Sequence, residues 1–259
     1  MPLPSLVLPS LTNLTVGYDH DDDCLEMFHG ATLGKLESIE FISGSKQIGD
    51  FLGTFERAAL AASAQNTLSS FHLSTSRSWS PTFPSLLSFT QMRDLLVDFP
   101  CVGSCSSKLD DEIITNLAQA MPKLKFLVLG DSPCRRIPTG VTAKGLVALA
   151  HHCPNLSNLR IHIHLSSFIT SPAAIWMTPD VEPTALRRDC ALKHLDVGRI
   201  PMPEQSVLMA AVTLGLIFPW IASIEATHEG WGKVEDAIRF SRQIINYSSK
   251  QHTPYYISK

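Results

Sequence analysis

The sequence predicts an α/β solenoid, in which short parallel strands form a curved inner sheet and helices lie outside it. Three observations predict this fold. A short apolar pattern recurs along the chain, helical segments separate its copies, and three copies follow a proline that ends the preceding segment. A single strand and helix cannot bury its own apolar face, so the copies are expected to stack around one continuous core.

The recurring pattern is an apolar residue, two other residues, a second apolar residue, one other residue and a third apolar residue. Its last two apolar positions alternate with other residues, which is typical of a short strand with one buried face. Strands that alternate with helices predict right-handed crossovers and parallel pairing. Eight copies begin at intervals of 24 to 36 residues, at Leu11, Leu36, Leu68, Met92, Leu124, Leu156, Leu192 and Ile221.

The segments between the copies carry helical signals. Apolar residues recur there at helical spacing. Thr142 is a suitable N-cap, and the acidic run at 110–112 suits a helix N-terminus through the helix dipole. The predicted helices span residues 47–64, 110–121, 142–153, 203–218 and 231–247.

Two segments rich in Ser, Thr and Pro interrupt the rhythm, at residues 74–88 and 166–188, and both are predicted to be surface loops. No low-complexity segment or linker divides the chain. Residues 1–259 are therefore predicted to form one domain of about eight irregular repeats. The end of the chain, residues 251–259, is predicted to be a loosely held tail.

Composition and charge exclude several classes of protein. Hydrophobic residues make up 44% and charged residues 17%, which is typical of a folded globular chain. Acidic residues number 24 and basic residues 21, so there is no basic excess for binding nucleic acid. The longest apolar run, residues 207–222, is too short to span a membrane, and residues 1–9 do not resemble a secretory signal. Six scattered cysteines without a CxxC pair favour reduced thiols and a cytoplasmic or nuclear protein.

The predicted strands present a second set of side chains on the concave face of the sheet. Because the apolar positions point into the core, the residues two, four and six positions after each start point the other way. Most are polar, but Leu96, Phe126 and Val128 form an apolar cluster on neighbouring copies. An apolar centre with a polar rim is typical of protein-binding surfaces. The predicted binding residues are Asp94, Leu96, Asp98, Phe126, Val128, Asn158, Arg160, His162, His194 and Asp196.

Charged side chains on this face suggest two specific arrangements. Arg160 and Asp196 occupy equivalent positions in neighbouring copies and are predicted to form an ion pair across the ladder. His162, His164 and His194 could offer three nitrogens to zinc. His164 lies past the predicted strand end, which favours polar surface histidines over a metal site.

Two stretches of the sequence carry a resemblance to a known family. Residues 114–130 read ITNLAQAMPKLKFLVLG, and residues 141–159 read VTAKGLVALAHHCPNLSNL. The cycle of a helix followed by Cys-Pro-Asn-Leu-x-x-Leu resembles the irregular, long leucine-rich repeats of fungal F-box proteins, and the similarity covers residues 6–247. The usual asparagine eight positions after the pattern start is replaced in the first four copies by Asp19, Gly44, Ser76 and Pro100.

That resemblance implies a protein-binding leucine-rich repeat module without catalytic activity. It is similar to the substrate-recognition part of an F-box protein in a cullin–RING ubiquitin ligase, with the protein substrate on the concave face. An F-box pattern is not seen ahead of Leu11, so a Skp-type adaptor is expected as a partner only where such a segment lies upstream. No cofactor, metal, nucleic acid or membrane is expected to bind.

Three alternatives stay open at this point. The first is a compact, hydrolase-like α/β enzyme, for which Ser70, His72 and Asp94 supply the residue types of a nucleophilic triad. A flat parallel ladder lacks the strained nucleophile turn and the oxyanion site that such chemistry needs. The second is a loop at residues 74–88 that covers the apolar cluster. The third is a truncated fragment without autonomous function.

Overall fold

Eight strands form one parallel sheet, in the order in which they occur along the chain. The computed structural model describes residues 8–18, 33–43, 55–56, 59, 64–75, 83–98, 109–130, 140–165 and 190–251. The strands are β1 Asn13–Tyr18, β2 Ser38–Ser43, β3 Ser70–Thr75, β4 Asp94–Asp98, β5 Phe126–Leu129, β6 Asn158–Ile161, β7 His194–Gly198 and β8 Ser223–Ala226. The α-helices within these residues are α1 Asp111–Ala120, α2 Ala143–His152, α3 Val207–Ile217 and α4 Gly230–Gln251. The predicted α/β class and parallel pairing are confirmed.

The register of the sheet repeats from copy to copy. Each strand enters the sheet two positions after its pattern start, so equivalent residues pair from strand to strand, until the register of β7 with β8 shifts between Asp196 and Gly198. A backbone motif recurs immediately before the strands. The carbonyl of Glu37 accepts hydrogen bonds from the amides of Ser69 at 2.8 Å and Ser70 at 3.0 Å. The equivalent pair of hydrogen bonds forms at each of the remaining junctions between consecutive strands. This repeated motif fixes the alignment that the side chains then follow.

The apolar pattern residues fill one face of the sheet. From Leu36 to Ile224 every one of them is buried, and the buried faces of the helices join the same core cluster. Leu11 and Leu14 are half-buried, because β1 is the edge strand of the sheet. Full burial of such a side chain contributes about 1.5–3 kcal/mol to folding. The helices within the described residues therefore lie on this side of the sheet.

The carboxylate of Asp111 links the helices α1 and α2. Thr142 is the N-cap of α2, as the sequence predicts, and Asp110 is the N-cap of α1. Asp111 reaches across to the next helix, where its carboxylate accepts hydrogen bonds from the Thr142 amide (2.7 Å), the Thr142 hydroxyl (2.6 Å) and the Gly145 amide (2.9 Å). A Cβ at position 145 would lie 2.7 Å from this carboxylate, so the close approach requires glycine.

The expectation of a surface loop at residues 74–88 is wrong at both ends. Ser74 lies inside β3, and Phe83–Leu86 form a 3-10 helix with Phe83 and Leu86 buried. The buried ring of Phe89 lies 5.6 Å from that of Phe55, centroid to centroid. Apolar residues three positions apart allow this short segment to pack on the core.

Other predicted boundaries shift by a few residues. A 3-10 helix, Glu204–Ser206, precedes α3, and α4 extends to Gln251, where the predicted tail begins. In the first predicted helix, residues 55, 56 and 59 are helical and Ala64–Asn66 form a 3-10 helix. The remainder of that helix, the whole of the predicted loop at 166–188 and the tail beyond Gln251 lie outside the described residues.

Helix α4 covers the last edge of the sheet. The Glu235 carboxylate accepts a hydrogen bond from the Ile224 amide of β8 at 2.8 Å, and the Arg242 guanidinium donates to the Ile221 carbonyl. Trp231 is buried and donates its indole N–H to the Ile200 carbonyl at 2.8 Å. The contact with Glu235 satisfies a backbone amide that the edge strand β8 would otherwise expose.

Candidate functional site

The candidate site lies on the open face, which we define as the sheet face formed by the residues two, four and six positions after each pattern start. The register aligns these residues in rows that run across the strands. The first row consists of Asn13, Ser38, Ser70, Asp94, Phe126, Asn158, His194 and Ser223. The second row consists of Thr15, Glu40, His72, Leu96, Val128, Arg160, Asp196 and Glu225. All of these side chains are half-buried or exposed.

The rows place the predicted apolar residues together. Leu96 pairs with Val128 in the second row, and Phe126 lies in the first row of the same strand as Val128. The side chain of Phe126 is 41% exposed, although it belongs to a strand. The open face therefore presents an apolar centre to solvent at β4 and β5.

A groove of about 390 Å³ runs from this apolar centre towards β8. Seven of the ten predicted binding residues line it, whereas Asp94, Asp98 and His162 do not. Asp94 is the register neighbour of Phe126, Asp98 ends β4, and His162 follows the last residue of β6. The lining residues are Leu96, Phe126, Val128, Asn158, Leu159, Arg160, His194, Leu195, Asp196 and Glu225.

The predicted ion pair in the groove is confirmed. Arg160 Nε lies 2.5 Å from Asp196 Oδ2, and the other carboxylate oxygen of Asp196 accepts a hydrogen bond from the Gly198 amide at 2.8 Å. Gly198 has φ +66°, and a Cβ there would lie 3.2 Å from the His162 ring. Asp196 is thus held by the backbone turn that follows it, and it orients the Arg160 guanidinium over the sheet.

A second group of polar contacts lies on the other side of the apolar centre. Glu40 accepts a hydrogen bond from the Thr15 hydroxyl at 3.3 Å, and its carboxylate lies 2.9 Å from His72 Nδ1. Leu96 and Val128 therefore separate two polar clusters within the second row. The second row thus has an apolar centre with polar contacts on both sides.

Carboxylates predominate on the open face. Its described positions carry the five carboxylates of Glu40, Asp94, Asp98, Asp196 and Glu225, against one guanidinium, that of Arg160. Burial raises the pKa of the Asp94 carboxyl, and the charges of Lys125 and Arg93 partly offset that rise. Both cations, with Lys193, are exposed at the positions just before the strands. Negative charge thus lies on the open face, and positive charge lies beside it at the positions just before the strands.

Three lining residues are not among the predicted binding residues: Leu159 and Leu195, which belong to the buried apolar pattern, and Glu225. The signal for Glu225 was present, because it lies four positions after the last pattern start, where it pairs in register with Asp196. The prediction centred on the apolar cluster and did not follow the second row to the last strand.

The residues considered for a catalytic triad and for a metal site also lie on or near the open face, but they do not form compact groups. Ser70 pairs in register with Asp94, whereas His72 lies in the second row with its ring against Glu40. His194 Nδ1 lies 2.7 Å from the Ser223 hydroxyl. Within the described residues, no group of three or more His, Cys, Asp or Glu side chains could hold a metal ion. In the same part of the chain, no helix is both long and apolar enough to cross a membrane.

Comparison with known proteins does not assign this chain to a family. No protein-family model matches it, and no curated protein matches it significantly. The geometry of the open face, with its apolar groove and flanking ion pairs, is therefore the basis on which a function is inferred.

Proposed function

We propose that this chain is a non-catalytic protein-binding module that recognises another protein through the open face. The observation that carries the proposal is the groove of about 390 Å³ whose centre is apolar and whose margins are charged. Leu96 and Val128 are half-buried and Phe126 is 41% exposed, while the core already has its own apolar residue at each pattern position. The core therefore does not require these three apolar side chains.

The energetics of the groove favour a macromolecular partner. Apolar surface that is removed from water contributes about 25 cal/mol per Å², so a partner that covers Phe126 gains from an exposed aromatic ring. Aromatic and Arg side chains are the commonest binding hot spots in protein interfaces. Phe126 and Arg160 both line the groove, and Asp196 holds the guanidinium in place before binding.

The proposal includes a leucine-rich repeat architecture, with the open face as the concave side of a solenoid. The sequential order of the parallel strands, the register that repeats from β1 to β7 and the backbone motif that recurs between consecutive strands support it. Small-angle X-ray scattering of the purified chain tests this part. We expect the distance distribution of an elongated, curved particle, and that of a near-spherical particle would overturn the architecture.

The resemblance to F-box proteins extends the proposal to a pathway. We infer that the bound protein is a substrate delivered to a cullin–RING ubiquitin ligase in the cytoplasm or nucleus. The chain itself would supply recognition alone. Co-purification of the natural full-length protein with a Skp-type adaptor tests this extension, and its failure would leave the binding role standing without the ligase.

Affinity purification with Phe126→Asp tests the binding role. A carboxylate at the apolar centre should abolish recovery of specific partners, because it must be desolvated in the interface. Phe240→Asp is a matched control, because Phe240 is 64% exposed on α4, away from the open face. Both variants should unfold at the same temperature as the wild type. Identical partners for the wild type and Phe126→Asp would contradict the proposal.

A further inference from the structure

The net negative charge of the open face is larger than the net negative charge of the whole chain. Its described positions carry five carboxylates and one guanidinium, whereas the full chain has 24 acidic and 21 basic residues. The net negative charge of the chain is therefore concentrated on the surface that contains the apolar groove. Such a distribution favours partners of the opposite sign, both in encounter and in the bound state.

Two of these carboxylates flank the groove without a neutralising side chain of the kind that Asp196 has. Asp94 pairs in register with Phe126, so it lies beside the apolar centre. Glu225 lines the far end of the groove, is exposed, and forms no ion pair with a described residue. Three strand spacings separate β5 from β8, which places Glu225 roughly 14 Å from Val128.

We propose that the groove binds a basic segment of a partner protein, in which Lys or Arg residues flank an apolar anchor. This inference rests on the proposed function of the open face. The anchor covers Phe126, Leu96 and Val128, while the cations lie against Asp94 and Glu225. An extended segment spans about 14 Å in four residues, so a cation four positions from the anchor reaches Glu225.

A neutral or acidic segment fits this surface less well. Covering the groove would remove water from Glu225, which lines it, without giving this carboxylate a counter-charge. Beside the apolar centre, burial raises the pKa of Asp94 although the charges of Lys125 and Arg93 partly offset that rise, so a further loss of water favours a partner that brings a cation. The exposed cations Arg93 and Lys125 lie at the strand starts, where acidic residues of the partner would fix its direction.

A peptide array tests the inference directly. The full chain is applied to immobilised 15-residue peptides that contain a central Leu or Phe flanked by four Lys, four Glu or four Ser. Wild type should bind the Lys peptides, and binding should weaken when salt rises from low to high concentration. Asp94→Asn and Glu225→Gln should each weaken binding about fivefold, as expected for one partly exposed ion pair.

Three variants separate the possible outcomes. Ile42, 49% exposed, lies on the open face at β2 but outside the groove, which makes it a control for the groove itself. Binding that is lost in Phe126→Ser, retained in the control variants Ile42→Ser and Phe240→Ser, and strongest for Lys peptides supports the inference. Binding that depends on Phe126 but favours Glu or Ser peptides overturns the basic partner and leaves the proposed function standing. No Phe126-dependent binding, or Phe126-dependent dimerisation of the chain instead, overturns both.

Discussion

The two faces of the sheet are built from the same strands but obey different constraints. On the buried face, every copy from Leu36 to Ile224 places an apolar side chain in the same core. On the open face, equivalent positions vary from Ser38 to Phe126 and from Glu40 to Arg160. The fold therefore determines one face, whereas the other is free to specify a partner.

Because packing does not select the residues of the open face, their variation from strand to strand can be considered separately from the fold. Neighbours in the second row change from polar to apolar and back to charged while the backbone register stays the same. Packing does not require Leu96 or Val128, because Leu95 and Leu127 beside them already fill the core. The apolar residues of the open face are therefore the positions to test for binding.

Thiol labelling should give the largest contrast between the faces. Burial raises the pKa of the Cys153 thiol to about 12, and the neighbouring Cys190 adds to the shift. At pH 8 we expect iodoacetamide to modify Cys153 at least about a hundredfold more slowly than a thiol introduced by Asn158→Cys on the open face. Mass spectrometry of the labelled peptides measures both rates, and similar rates would mean that Cys153 is not enclosed.

Two adjacent residues separate stability from binding. Leu127→Ala should lower the free energy of unfolding by about 3 kcal/mol, because it leaves a cavity in the core. Val128→Thr, on the other face, should lower it by less than about 1 kcal/mol yet weaken partner binding. Urea unfolding and affinity purification of both variants test the pair. A Val128→Thr variant as unstable as Leu127→Ala would show that the open face supports the fold.

The polar link between α1 and α2 tests whether repeats cooperate through their helices. Asp111→Ala should lower the free energy of unfolding by about 2 kcal/mol, because three buried or half-buried donors lose their acceptor. Glu112→Ala, at the exposed next position, should change it by less than about 0.5 kcal/mol. Equal thermal unfolding of the two variants would contradict a stabilising role for this link.

Asp94 should show the smallest effect and a defined pH dependence. Its pKa is raised in the folded protein, so the ionised carboxylate opposes folding at neutral pH. Asp94→Asn should therefore be slightly more stable than the wild type at pH 7. That advantage should shrink as the pH falls through the raised pKa, where the wild-type carboxyl becomes protonated. Thermal unfolding between pH 7 and pH 4 measures the difference in stability between Asp94→Asn and the wild type. A stability advantage of Asp94→Asn that grows towards low pH would contradict a raised pKa of Asp94.

The sequence allowed the buried face to be predicted because burial demands an apolar residue at the same positions of every copy. The helix start at Thr142 followed from a capping rule, and the start at Asp110 followed from the acidic run that suits the helix dipole. The link from Asp111 to the next helix was not predictable, because it joins residues about 30 positions apart whose approach depends on the packed helices. The same holds for Glu235, which reaches the β8 backbone only after α4 has packed against it.

The open face was predicted as a set of positions, but its interactions were predicted only in part. Equivalent spacing was sufficient to pair Arg160 with Asp196. The groove extends further, to Glu225, because the register continues to the last strand. Side-chain contacts such as that of His72 with Glu40 depend on rotamers, which the repeat pattern does not determine.

Photo-crosslinking at the groove tests the central claim most directly. A chain carrying p-benzoylphenylalanine in place of Val128 is irradiated in cell extract, and the matched control carries it in place of Phe240 on α4. We predict that a specific protein crosslinks to position 128 and not to position 240, and that excess wild-type chain competes for it. The account would be contradicted if position 128 gave no specific crosslink or the same products as position 240.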